Sequence, residues 1–135
     1  MLDEVMGKIT LAIHAILEAR NRVPVLGNRE EGYQESAKEE ADRYQAYGTA
    51  REKVYELIFE VQRLRLRFGL EHAITKGYLK AQQGLEDLLS EVTVDKDQWT
   101  VAQREVLEKK VEDCGKQNKD LAEACRKYTD VEIAR

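Results

Sequence analysis

Residues 107–128 read LEKKVEDCGKQNKDLAEACRKY and carry the clearest structural pattern in the chain. One set of positions in this stretch recurs at steps of four and three residues. This spacing keeps side chains on one face of an α-helix. Three heptads of it predict a helix whose seam packs along another helix in the manner of a coiled coil. The seam consists of Leu107, Val111, Cys114, Asn118, Leu121, Cys125 and Tyr128.

The helix that carries this seam is predicted to span residues 95–132. Asp95 and Gln98 have the spacing of a capping box, in which each side chain bonds to the other residue's backbone N–H. Val94 and Trp99 occupy the two positions of a hydrophobic staple. Asn118 interrupts the apolar seam, which indicates either a residue that selects the helix register or a side chain at a partly hydrated edge.

The same spacing predicts three earlier helices, at about residues 3–20, 33–68 and 71–92. The first has a broad apolar stripe that includes Val5, Ile9 and Ile16. The second has Ala and Tyr on its first half and larger aliphatic residues on its second half. Two capping-box signatures compete for its start, Asn28 with Glu31 and Ser36 with Glu39.

Gly69 leaves two arrangements of the middle helices open. If the helix breaks there, the chain forms an uneven four-helix bundle. If the helix continues, residues 33–92 form one rod that the first and last helices cover. Residues 62–68 alternate in the manner of a strand, but no turn residue separates them from the preceding helix, so we interpret them as helix. Gly77 and Gly84, one heptad apart, indicate either the close approach of another helix or incidental glycines on an exposed face.

These patterns predict an all-α fold, an elongated helical hairpin or bundle of three to four amphipathic helices with coiled-coil-like packing. With 135 residues, the chain forms a single domain over residues 1–135, because it is too short for two independent cores. A hairpin buries only one layer, so its remaining apolar stripes favour self-association, most simply as a homodimer. We therefore expect the seam from Leu107 to Tyr128 to form the oligomer or partner interface.

No catalytic, metal or cofactor motif is present in the sequence. His14 and His72 lie outside the helical spacings that ligate metals, and no glycine-rich phosphate loop occurs. On one helix Cys114 and Cys125 would lie roughly 16 Å apart, too far for a disulfide. They indicate either core residues in a reducing cytosol or a crosslink between symmetric protomers.

The sequence also predicts a cytoplasmic protein without a membrane segment. Its N-terminus lacks the pattern of a signal peptide. The longest apolar stretch, residues 11–17, is far shorter than a membrane span.

A second candidate surface combines basic and aromatic residues. Residues 51–80 contain seven basic and four acidic side chains, in a chain of net charge -4. Tyrosine often anchors protein interfaces. The candidate partner-binding patch consists of Arg63, Arg65, Arg67, Tyr44 and Tyr47. As alternatives, the arginines pair with acidic residues of a neighbouring helix and the tyrosines belong to the core.

We therefore expect a non-enzymatic protein–protein interaction module, an adaptor, inhibitor or other accessory protein. It would act through helical surfaces as a homo-oligomer, with a protein partner that the sequence does not identify. One alternative is a nucleic-acid-associated protein using the basic 51–80 face, although the acidic net charge is unfavourable for binding nucleic acid. Another is a self-assembling structural scaffold.

Overall fold

Four α-helices make up the part of the chain that the structure describes, and that part contains no strand. The structure is a computed structural model that describes residues 2–22, 36–92 and 101–134. The helices are α1 (Leu2–Asn21), α2 (Ala37–Phe68), α3 (Ala73–Glu91) and α4 (Val101–Ala134). The predicted all-α fold is therefore confirmed. The cap at Asn28 and the cap and staple at residues 94–99 lie outside the described residues.

Helix α2 begins at the capping box predicted at Ser36. The Ser36 hydroxyl accepts a hydrogen bond from the backbone N–H of Glu39 at 3.1 Å. The Glu39 carboxylate accepts one in return from the backbone N–H of Ser36 at 3.4 Å. These two bonds satisfy donors that a helix N-terminus leaves unpaired.

Gly69 ends α2, so the chain takes the broken-helix arrangement rather than the continuous rod. Its backbone N–H donates to the carbonyl of Arg65 at 2.9 Å, which closes the last turn. Its φ of 86° and ψ of 164° lie in a region open to glycine and strained for other residues. Residues 62–68 are helical, as we predicted despite their strand-like alternation.

Helix α3 begins at His72, which acts as its N-cap. The imidazole Nδ1 accepts a hydrogen bond from the backbone N–H of Ile74 at 3.1 Å. The His72 ring also contacts Phe68 and Tyr128, with ring centroids 4.8 and 5.7 Å apart. This ring cluster joins the turn between α2 and α3 to the C-terminal part of α4.

Consecutive helices run antiparallel, which gives an up-down-up-down bundle. Residues near the start of one helix contact residues near the end of its neighbour, as in Lys8 with Glu60 and Thr75 with Leu64, and α4 runs opposite to α3 from Cys114 at Gly84 to Leu121 at Gly77. Helix α4 lies against α3 and also reaches α1, where Arg20 and Glu108 form an ion pair at 3.1 Å. The core therefore lies between all four helices.

The core of the bundle includes one face of each helix. On α1 the buried stripe is Val5, Ile9, Ala12, Ile16 and Ala19, which is narrower than the predicted stripe. Among the described residues, Tyr78 of α3 is the largest fully buried side chain, and its hydroxyl donates to the carbonyl of Val5 at 3.4 Å. Burial raises the pKa of this phenol, so the hydroxyl keeps its proton and remains a donor.

The close approach indicated by Gly77 and Gly84 is confirmed at the contact of α3 with α4. A Cβ on Gly77 would lie 3.2 Å from the Cδ1 atom of Leu121, and a Cβ on Gly84 would collide with the Gln117 amide. The Cys114 thiol donates to the Gly84 carbonyl at 3.4 Å. Because Gly77 and Gly84 have no side chains, α4 lies close to α3.

The backbone at Gly69 yields a stability prediction. Gly69→Ala should lower the free energy of unfolding by about 1–3 kcal/mol, because alanine is strained at this positive φ. Gly7→Ala is the matched control. Gly7 lies inside α1 with open space around it, so alanine there should stabilise the fold by about 0.5–1 kcal/mol. Urea unfolding measures both, and equal effects would contradict the prediction.

Candidate functional site

The predicted interface seam of α4 lies inside the bundle. Four of its seven members are buried, and Val111, Asn118 and Tyr128 are half-buried. Helices α3 and α1 of the same chain cover this face. Helix α3 covers the seam because α4 packs antiparallel against it, with Cys114 at Gly84 and Leu121 at Gly77. A partner would reach these side chains only if α4 moved away from α3.

Polar groups weaken the middle of this seam. The side-chain oxygens of Gln117 and Asn118 are buried and have no hydrogen-bond partner among the described residues. An unpaired buried acceptor costs about 1–3 kcal/mol. Asn118 therefore makes no hydrogen bond through this oxygen that could select a register within the chain.

The five residues of the predicted partner patch do not form one surface. At about 100° per residue, Tyr47 and Arg63 lie about 160° apart around α2, so they point to nearly opposite sides of the helix. Tyr47 is half-buried against the core, whereas Tyr44 is exposed. The Arg67 guanidinium lies over the Phe68 ring, 5.6 Å from its centroid, and Arg65 is exposed.

Arg63 belongs to a charge network that joins α1 to α2. It bonds to Glu60 at 3.0 Å and to Glu4 at 3.4 Å. Lys8 donates to Glu60 at 2.5 Å, although Glu60 is only 2% exposed. The hydrogen bond to Glu60 raises the pKa of Lys8, and the charge of Glu60 raises the pKa of Arg63. For Arg63, therefore, the alternative of pairing with a neighbouring helix is the one observed.

A second apolar face of α2, which we call the outer face, points away from the core. Phe59 is 71% exposed and Leu66 is 88% exposed. Tyr44, Tyr55 and Ile58 are also exposed large side chains on this face. The inner face of the same helix buries Val54, Leu57, Val61 and Leu64. The sequence predicted large apolar residues on the second half of this helix, but their division into an inner and an outer face was not predicted.

One signal of the outer face was present in the sequence. Tyr44, Tyr55 and Leu66 are spaced by eleven residues, which is close to three full helical turns. Gly48 and Phe59 have the same spacing. Residues at this spacing share one side of a straight helix, and here that side is exposed.

A shallow depression of about 520 Å³ lies on the outer face around Gly48. A Cβ on Gly48 would have no atom within 4 Å, so the glycine leaves a notch in the helix surface. The Arg51 guanidinium packs over the Tyr55 ring at 5.4 Å. The lining consists of Gly48, Arg51, Glu52, Tyr55, Glu56 and Phe59.

A further depression, of about 570 Å³, lies where the start of α3 meets the end of α4. Its wall combines His72 and Tyr128 with apolar groups such as Val131. The wall also includes Lys127, which forms an ion pair with Glu123 at 3.6 Å. Within the described ranges, no three His, Cys, Asp or Glu side chains come together to hold a metal ion.

Both cysteines are buried as free thiols. Burial raises the pKa of Cys114 to about 11 and also raises the pKa of Cys125. Because the thiolate is the reactive form of cysteine, both thiols should be poor nucleophiles at neutral pH.

No helix in the described part of the chain is both long and apolar enough to cross a membrane. Comparison with protein-family models, curated proteins and solved structures gave no match to this chain.

The charge network predicts that Glu60 is needed for stability. Glu60→Ala should lower the free energy of unfolding by about 1–3 kcal/mol, because it leaves Lys8 and Arg63 without their buried acceptor. Glu56→Ala, at a more exposed carboxylate of the same helix, should change it by less than about 0.5 kcal/mol. Urea unfolding would refute the prediction if the two variants were equally stable.

The Cys114 thiol predicts a pH dependence with a defined sign. Its pKa rises from an ordinary 9.0 to about 11 in the folded state, so the folded state holds the proton more tightly. The resulting stability is complete below pH 9 and is lost as pH rises towards 11. The stability advantage of the natural chain over Cys114→Ala should therefore shrink over this range. Unfolding curves for both proteins at successive pH values test this, and a constant difference would be the contrary result.

Proposed function

We propose that the chain is a non-enzymatic interaction module that binds an amphipathic helix along the outer face of α2. The observation that carries the proposal is the exposure of Phe59 and Leu66, at 71% and 88%, on a helix whose opposite face is already buried. Contiguous apolar surface on a folded protein is a common sign of a binding site. Charged residues such as Glu52 and Arg65 flank the apolar stripe, as a polar rim flanks the centre of an interface.

The energy available from this face supports a specific complex. Burying one large apolar side chain contributes about 1.5–3 kcal/mol. Burial of the five exposed apolar side chains of the outer face would contribute several times this free energy. This gain must exceed the free-energy cost of association.

A helix is the partner shape that this face fits. From Tyr44 to Leu66 the exposed apolar residues follow a line about 33 Å long, at the helical rise per residue. An amphipathic helix presents a line of apolar side chains of the same kind. The proposed action is therefore helix-on-helix docking, with the polar residues at either side selecting the partner.

The basic residues of the 51–80 face give less support to nucleic-acid binding. Arg63 bonds to Glu4 and Glu60, and Lys76 bonds to Glu71 at 2.7 Å. Phosphate contacts would have to compete with these carboxylates. The two free thiols are compatible with the reducing cytoplasm, which is the location we propose.

Site-specific photocrosslinking tests the proposed function. The photoreactive analogue benzoylphenylalanine, placed at Phe59 in cells, should form covalent adducts with a partner protein, because this side chain would lie at the centre of the interface. Mass spectrometry should map the adduct to an amphipathic helix, and Leu66→Arg in the same chain should reduce its yield. The control carries the analogue at Val106, an exposed apolar position on α4. Equal adduct yields at the two positions, or none at Phe59, would refute the proposal.

A further inference from the structure

We infer that the helix that binds the outer face of α2 is α2 of a second copy of this chain, packed antiparallel. This inference rests on the proposed function and names its partner. The outer face carries a protruding group, a notch and opposite charges at its two ends. A two-fold axis across the helix matches each of these features with its counterpart on the second copy.

The protruding group is Phe59 and the notch is the depression at Gly48. They are eleven residues apart on one helix, hence about 16 Å along the axis and within about 20° of the same direction. A two-fold axis midway between them, near residues 53 and 54, would place Phe59 of each copy over Gly48 of the other. One symmetry operation therefore fills both notches, as an isologous interface requires.

The same axis matches two further pairs of apolar positions. Leu66 of one copy would lie over Ala41 of the other, where a small exposed side chain leaves room for it. Ile58 would lie beside the half-buried ring of Tyr47, displaced by two residues from the register that pairs Phe59 with Gly48 and Leu66 with Ala41.

Charge selects the antiparallel direction. The first turn of α2 contains Glu39 and Glu40, and its last turn contains Arg65 and Arg67. The antiparallel register would place Arg65 of one copy beside Glu40 of the other, on the same side of the interface. Both side chains are exposed, and neither forms an ion pair within the described ranges of the chain. A parallel pair would instead place like charges together at both ends.

The centre of the interface carries repulsion between like charges, which basic side chains of each chain reduce. Glu52 and Glu56 of both copies would lie near the two-fold axis. Their repulsion is reduced by Lys53, which pairs with Glu56 of its own chain at 3.9 Å, and by the neighbouring Arg51. The two outer pairs of Glu40 with Arg65 therefore set the direction.

A substitution that fills the notch tests dimerisation without lowering the stability of the fold. Gly48→Leu should raise the dimer dissociation constant at least tenfold in sedimentation equilibrium, because the leucine would occupy the space that Phe59 of the second copy needs. It should not lower the melting temperature of the dilute monomer, since a side chain at Gly48 meets nothing within the chain. Gly7→Leu is the control, at an equally open helical glycine on α1, and it should leave the dimer unchanged. If Gly48→Leu had the same dimer dissociation constant as the natural chain, the inference would be overturned.

Crosslinking tests the direction of the pair. In a chain carrying Gln45→Cys and Gln62→Cys, a short bifunctional maleimide should join residue 45 of one copy to residue 62 of the other, because these exposed, uncharged positions are opposed in the same register. The two positions are roughly 26 Å apart on one helix, so this link cannot form within a single chain. The charges at Glu40 and Arg65 stay in place, and the buried natural cysteines should react slowly by comparison. Links from 45 to 45 and from 62 to 62 would instead show a parallel pair and overturn the inference.

The two proposals fail in different ways. A natural chain that stays monomeric at the highest soluble concentration, while the analogue at Phe59 still joins it to the helix of another protein, would overturn only the self-association. A monomer that also gives no adduct at Phe59 would overturn both.

Discussion

The turn at residues 69–72 is the constraint on which the rest of the structure depends. Gly69 takes a backbone conformation that strains other residues. His72 caps the next helix by accepting a hydrogen bond from the backbone N–H of Ile74. Together they end α2 at Phe68 and reverse the chain, so that α3 packs back along α2. The reversal brings Tyr78 into the core, where its hydroxyl donates to the Val5 carbonyl of α1. A continuous helix through Gly69 would have carried the α3 stripe away from both α2 and α1.

Local patterns in the sequence predicted much of this fold. The capping box at Ser36 needs only residues three apart, and the seam of α4 needs only its own periodicity. Both are local signals, and the structure contains the first as a pair of hydrogen bonds and the second as a row of buried or half-buried side chains. Periodicity states which side chains share a face. It does not state which surface covers that face, because the cover comes from distant residues. The periodicity of the seam therefore identified a face that packs against another helix, and the structure places α3 of the same chain against it.

The candidate site was harder to predict for the same reason. Arg63 was attributed to a partner-binding patch, yet Glu4 and Glu60 hold it, and Glu4 is 59 residues away in the sequence. Phe59 and Leu66 were not distinguished from the other large apolar residues in the second half of α2, because this helix carries apolar residues on two sides. The eleven-residue spacing of Tyr44, Tyr55 and Leu66 could have separated them, since it defines a line opposite Val54, Val61 and Leu64. The spacing alone could not predict which of the two lines of apolar residues faces solvent.

The two faces of α2 are linked through rigidity. Its inner face is held to α1 by the buried Glu60 carboxylate, to which Lys8 and Arg63 both bond, and by packing of Val54, Leu57 and Leu64. A helix fixed in this way presents the outer residues in a constant line, so little backbone freedom remains to be lost when a second helix docks. Ordering costs of that kind often decide whether an apolar surface binds specifically. The ion pairs at Glu60 would therefore contribute to the proposed recognition on the outer side, although none of these side chains would touch the partner. Loosening the contact between α1 and α2 would weaken docking by increasing the conformational entropy that binding must remove, even with every outer side chain unchanged.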